Sequence, residues 1–143
     1  MRENLKQNSS TFLLYAAWLV SIVATLGSLY FSEIREYVPC ELCWFQRIFM
    51  YPLTIILGIA AYNQDIRIKK YVLPLSIVGG SISIFHYLQQ KVPAFAKIQL
   101  CTQGVPCTAE YINWLGFITI PFLALIAFTL ITVLMFLIKT KSN

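Results

Sequence analysis

Acidic side chains are scarce in this 143-residue chain: Glu3, Glu33, Glu36, Glu41, Asp65 and Glu110 are all it has. Six scattered carboxylates and a single histidine, His86, supply neither paired acid–base machinery nor a His-rich metal site. Charged residues make up only 12% of the chain, about half the share usual in a soluble domain. No GxGxxG loop is present to cradle a dinucleotide phosphate. Internal repeats and low-complexity tracts are missing as well. The net charge of +5 comes from 11 Lys and Arg residues that stand at the ends of apolar runs rather than in one patch, so no nucleic-acid partner is expected.

What the chain has in abundance is apolar sequence, 58% of all residues. Residues 12–31 carry no charge. Twenty residues at 1.5 Å rise span about 30 Å, the thickness of a bilayer's hydrocarbon core. Residues 44–62 form a second such run with Arg47 near its start. Residues 71–88 form a third, holding Pro74, Gly79, Gly80 and, near its end, His86. Membrane helices tolerate such breakers where neighbours repack around them. Residues 112–138 are the longest run, with a kink expected at Pro121. The connections are short, so the expected fold is all-α: one domain over residues 1–143, a polytopic four-transmembrane-helix bundle of up-down topology. A cleaved signal peptide is the alternative for the first run, but that run exceeds the usual apolar region of such signals.

Basic residues between the runs predict sidedness. Arg2, Lys6, Arg67, Lys69, Lys70, Lys139 and Lys141 fall on one side, and only Arg35, Lys91 and Lys97 on the other. The positive-inside rule then places both termini in the cytoplasm of a multi-pass cell-membrane protein. It puts Cys40, Cys43, Cys101 and Cys107, all four cysteines, in extracytoplasmic loops, where disulfides form and persist.

Cys40-Glu41-Leu42-Cys43 stands just before the second span, so Cys43 falls near a helix N-terminus. Unpaired N–H groups and the helix dipole stabilise a thiolate there, which suits thiol exchange. Arg47 follows one turn deeper on the same face, positioned to stabilise a Cys43 thiolate or a reduced, anionic acceptor beside it. Snorkelling to the headgroups is the plainer reading of this arginine. Cys101 and Cys107 enclose five residues, among them Gly104 and Pro106, which turn the chain and make a disulfide easy to close. Either pair alone reads equally as a structural staple; two pairs on one side suggest a relay. Zinc is not expected, because two spans separate Cys43 from Cys101, and no metal site is assigned. His86 reads as an interfacial anchor or as a hydrogen-bond donor to a bound oxidant. Trp44, Phe45, Phe49, Tyr51, Tyr87 and Trp114 read mainly as aromatic belt, with room for some to line a slot for a flat, lipid-soluble ring.

The run Pro39-Cys40-Glu41-Leu42-Cys43-Trp44-Phe45-Gln46-Arg47 at the head of the second of four spans, followed by a second cysteine pair in the next outer loop, resembles the DsbB family. The stretch from Tyr111 to Pro121 and the short Cys101 to Cys107 loop are similar to its Gram-positive branch. The resemblance covers nearly the whole chain. It implies a quinone-dependent protein-disulfide oxidoreductase that reoxidises a thioredoxin-like extracytoplasmic thiol oxidase and so supports disulfide formation in exported proteins. By position it implies that Cys40 and Cys43 form the pair beside the quinone, with Cys43 contacting it. Cys101 would form the mixed disulfide with the partner, and Cys107 would resolve it. Arg47 and His86 would belong to the quinone site, and menaquinone is the species the Gram-positive branch suggests. The five-residue Cys101 to Cys107 loop departs from the longer Gram-negative segment, so the order of interloop exchange does not carry over. Two rivals are a reductase of the vitamin K epoxide reductase type, which places its membrane CxxC on a later span, and a membrane scaffold with two inert disulfides.

Overall fold

The computed structural model describes residues 1–98 and 119–139, and in them every regular element is helical. Helix α1 covers Arg2–Leu29 and runs into a π-helical turn, Tyr30–Ile34. Helix α2 covers Glu41–Asn63, a 3₁₀ turn covers Ile66–Ile68, and α3 covers Lys69–Lys91. A single turn, α4, covers Pro93–Ala96, and α5 covers Ile120–Leu137. Four of these helical stretches are long and apolar enough to cross a membrane. The four-helix, all-α architecture expected from the apolar runs is therefore present.

Two boundaries differ from expectation. Helix α1 starts ten residues before the apolar run, because residues 2–11 contain neither Pro nor Gly to stop the helix. At the other end, Pro121 does not mark a bend within a helix. Thr119 is extended (φ −120°, ψ 169°) and caps a helix that begins at Ile120, so Pro121 stands in the first turn, where its missing N–H costs nothing. Pro52 and Pro74, by contrast, are accommodated inside α2 and α3.

The four long helices pack as a ring, α1 against α2, α2 against α3, α3 against α5 and α5 against α1. Leu14 and Ala17 of α1, Leu53 and Leu57 of α2, Val72 of α3 and Phe128 and Ile131 of α5 meet in the centre. Burial of Leu14 and Ala17 makes the first helix a packed member of the bundle. The outward faces are apolar too: Phe12, Leu19, Val23, Ile48, Ile55, Ile59, Val133 and Phe136 are all exposed. Such a surface is matched to hydrocarbon rather than water.

Because lipid competes poorly with polar contacts, hydroxyls tie the helices together. Thr54 Oγ1 donates to Ser21 O at 3.2 Å or Met50 O at 3.3 Å and meets Thr25 Oγ1 at 2.8 Å, joining α1 to α2. Thr132 Oγ1 meets Ser76 Oγ at 2.9 Å, joining α5 to α3. Between α2 and α3 the chain reverses through Gln64 (φ 54°), and Asp65 accepts from the Arg67 N–H at 3.0 Å. Lys69 Nζ donates to Ile138 O at 2.7 Å, closing the same end against the exit of α5.

Candidate functional site

At the opposite end, the π-helical turn and Glu36 (φ 54°) turn the chain out of α1 and deliver it to Cys40, the N-cap of α2. The cap fixes the cysteine pair. Cys40 is extended (ψ 173°), its carbonyl accepts from Trp44 N–H at 3.1 Å, and one helical turn brings Cys43 Sγ to 3.4 Å from Cys40 Sγ. Both are free thiols. This is the placement at a helix N-terminus that the spacing predicts.

The third member comes from α3. His86, 1% exposed, places Nε2 3.6 Å from Cys40 Sγ, and Gln46 Nε2 lies 3.1 Å from its Nδ1. With the amide nitrogen of Gln46 donating, Nδ1 is the acceptor and the ring proton sits on Nε2, facing the sulfur. Burial rules out the interfacial-anchor reading of His86. The Cys43 thiol beside it and the hydrogen bond from His86 hold the Cys40 thiol far below the ordinary cysteine value, at about 4, against the opposing effect of burial.

Arg47, one turn below Cys43 on α2, takes its hydrogen-bond partners from α1. Its Nε donates to Ser28 Oγ at 3.0 Å and its Nη2 to Ser28 O at 3.2 Å, while the guanidinium lies 5.3 Å from the Trp44 ring centre. Helix α1 offers a carbonyl and a hydroxyl at that depth, and a guanidinium in apolar surroundings takes both. Arg47 is half-buried and braced against α1, not extended toward headgroups.

Arg47 also borders a cavity of about 510 Å³ that begins at Cys40 and Cys43 and runs down between α1, α2 and α5. Its walls are mostly apolar, among them Val20, Met50 and Ala127, with His86 at its head. Leu19 and Val23 of α1 and Leu123, Ile126 and Leu130 of α5 line it and are also exposed on the outside of the bundle, so it is open sideways. Tyr51 lines it too, and its buried Oη has no hydrogen-bond partner among the described residues. A flat apolar molecule with a carbonyl oxygen fits such walls and would satisfy that hydroxyl.

Of the residues singled out from the sequence, the structure gathers Cys40, Cys43, Arg47 and His86 into one site. Cys101, Cys107 and Trp114 lie outside the described residues. Trp44 and Phe45 face outward, in keeping with a belt. Gln46 and Ser28 were not anticipated. Gln46 had a signal: Cys43, Gln46, Arg47 and Met50 follow the i, i+3, i+4, i+7 pattern of one helix face, and all four line the cavity.

Fold and site together define a polytopic membrane protein with a helix-capping dithiol set against a buried histidine. The chain belongs to the DsbB family: the family model described as "Disulfide bond formation protein DsbB" matches residues 10–138. It is 66% identical over 130 residues to disulfide bond formation protein C of Bacillus subtilis, covering 91% of this chain and 94% of that protein. A probable disulfide formation protein C 1 of Bacillus anthracis is 53% identical over 95% of this chain and 99% of its own length. A probable disulfide formation protein of Coxiella burnetii is 52% identical over 81% of this chain and 80% of its own. No solved structure matches the chain.

Proposed function

We propose that this protein is a quinone-dependent protein-disulfide oxidoreductase of the cell membrane, with both termini cytoplasmic and its cysteine loops outside. In this reading it keeps a thioredoxin-like extracytoplasmic thiol oxidase in its disulfide form, and thereby supports disulfide formation in exported proteins. The observation that carries it is the continuity of the Cys40–Cys43 dithiol with an apolar cavity open on the lipid-facing side. A soluble nicotinamide has no route to such a site; a ring dissolved in the bilayer does.

The proposed electron path has two exchanges. A thiolate of the reduced partner attacks the Cys101–Cys107 disulfide, Cys101 is held in the mixed disulfide, and Cys107 leaves as a thiol. The partner's second thiolate then releases its disulfide. Transfer of the disulfide from Cys40–Cys43 to the Cys101–Cys107 pair leaves Cys40 and Cys43 as the dithiol. Arg47, His86 and Tyr51 would hold the quinone carbonyls, and a quinone bound there supplies an acceptor for two electrons and two protons. The Cys43 thiol and His86 favour the ionised form of Cys40, so that the pair is ready to exchange at neutral pH. Menaquinone is the species favoured by the likeness to Bacillus proteins. Each 30 mV of driving force corresponds to about 1.4 kcal/mol, so a strongly oxidising partner needs a still more oxidising acceptor behind it.

Purified protein should oxidise a reduced thioredoxin-fold oxidase only when quinone is added, and Cys43→Ser should abolish turnover. A Cys107→Ser variant should trap the partner as a covalent adduct on Cys101. Undiminished turnover by Cys43→Ser, or turnover without quinone, overturns the scheme.

A further inference from the structure

The three atoms Cys40 Sγ, Cys43 Sγ and His86 Nε2 all lie within 4.8 Å of one another. Two of the separations are 3.4 Å between the sulfurs and 3.6 Å from Cys40 Sγ to His86 Nε2. A tetrahedral zinc ion with ordinary Zn–S and Zn–N bonds sets its sulfur ligands about 3.8 Å apart and a sulfur and an imidazole nitrogen about 3.6 Å apart. The three donors already stand near the corners of one face of such a tetrahedron. Two cysteines and one histidine are also a ligand set with a strong preference for thiophilic divalent cations.

The surroundings supply the rest. A metal-bound histidine normally uses its other ring nitrogen to donate to a fixed acceptor, which orients the ring. Gln46 occupies that place at 3.1 Å from Nδ1. A half-turn of its amide presents Oε1, Nδ1–H donates to it, and Nε2 then carries the lone pair rather than the proton. The fourth corner opens on the cavity, which Cys40, Cys43 and His86 all line. The four-cysteine zinc site set aside from the sequence required two distant pairs to meet. The third donor instead comes from α3, 46 residues from Cys40.

We propose that the reduced Cys40–Cys43 pair, together with His86, forms a binding site for a thiophilic divalent cation of the zinc class, and that occupancy holds the pair in its dithiol state and blocks disulfide formation. Each cysteine ligates as the thiolate, with any proton passing to solvent. No electrons move. The metal–sulfur bonds occupy the sulfur lone pairs that exchange would use, and removal of the cation by a chelator restores the pair. The site exists only between reduction and reoxidation, since the disulfide offers no thiolates. It makes no use of an acceptor, so its failure leaves the proposed electron path intact, and loss of quinone dependence leaves the cation site intact.

The test uses full-length protein carrying Cys101→Ser and Cys107→Ser, reduced and freed of reductant, and titrated with Co²⁺ as a spectroscopic probe. The expected result is one Co²⁺ per chain, with the visible absorption of a tetrahedral thiolate site, displaced by Zn²⁺ and lost in Cys40→Ser and in Cys43→Ser. His86→Ala should weaken binding at least tenfold. Gln46→Ala, which leaves all three ligands in place, should weaken it by about 10–100-fold, the usual effect of removing a metal ligand's hydrogen-bond partner. Gel filtration checks that each variant remains folded, and Gln46→Ala carries the test if His86→Ala does not. No tetrahedral spectrum, or binding unchanged in a folded His86→Ala or in Gln46→Ala, overturns the proposal.

Discussion

Arg47 and Ser28 join α2 to α1 through two hydrogen bonds, Nε to Ser28 Oγ at 3.0 Å and Nη2 to Ser28 O at 3.2 Å. One side chain that lines the cavity thereby joins two of its walls. Hydrogen bonds to a charged group contribute about 1.5–3 kcal/mol. Arg47→Ala is expected to raise the KM for quinone about tenfold or more and to lower the thermal midpoint in detergent. Arg47→Lys should recover only part of either, because an ammonium lacks the fork that reaches both Ser28 atoms. An unchanged KM in Arg47→Ala would reduce the residue to a structural brace.

Cys40 gives a pH-dependent prediction. Its pKa is lowered to about 4, so the thiolate is present at neutral pH, persists as pH falls, and is lost only as pH drops through about 4. Alkylation of the reduced Cys101→Ser/Cys107→Ser protein by iodoacetamide should therefore stay nearly flat from pH 7 to 5, where an ordinary thiol slows about tenfold per unit. His86→Ala removes one of the hydrogen bonds that favour the thiolate and should move the midpoint upward. A midpoint near 8 to 9 in the unaltered protein would contradict this arrangement.

Gly79 on α3 is overlain by Phe128 of α5, so closely that a β-carbon there would overlap the ring. Phe128 is itself 1% exposed, so its ring can give way only toward the cavity that it borders. Gly79→Ala is expected to destabilise the bundle by about 1–3 kcal/mol, the usual cost of overpacking. Adding Phe128→Leu should return part of it. Gly80→Ala meets only an ordinary contact at 3.5 Å and should be close to neutral. Thermal melts in detergent distinguish the two glycines.

Thr54 offers a smaller effect. Thr54→Val keeps the shape and removes the contacts to Ser21 O and Thr25 Oγ1. About 0.6 kcal/mol is expected, the average for such interhelical bonds in a membrane protein. The same melts would show it.

The fold was legible because apolar length translates directly into membrane-crossing helices, and α2 and α3 fall within a few residues of their runs. What composition does not encode is where a run stops being helix. Residues 112–138 are nearly all apolar, yet Thr119 among them is extended and α5 begins at Ile120. For the site, Cys40, Cys43 and Arg47 were legible from local spacing on one helix start. Their partners were not, since the contacts of Cys40 with His86 and of Arg47 with Ser28 join residues 46 and 19 positions apart. Gln46 was hidden differently. An amide amid apolar residues demands a partner, but the sequence does not say that the partner is a histidine on the next helix.

The sideways opening between Leu19 and Val23 on one wall and Leu123 and Leu130 on the other imposes a filter that acts before any shape is recognised. A molecule arriving by that door has first to dissolve in hydrocarbon. Its working concentration is set by how it partitions between oil and water, and the effective dose at the dithiol rises with tail length even when the head is unchanged. Small hydrophilic disulfides and reductants in the surrounding medium have no share in that reservoir, which separates the two ends of the thiol chemistry by solubility.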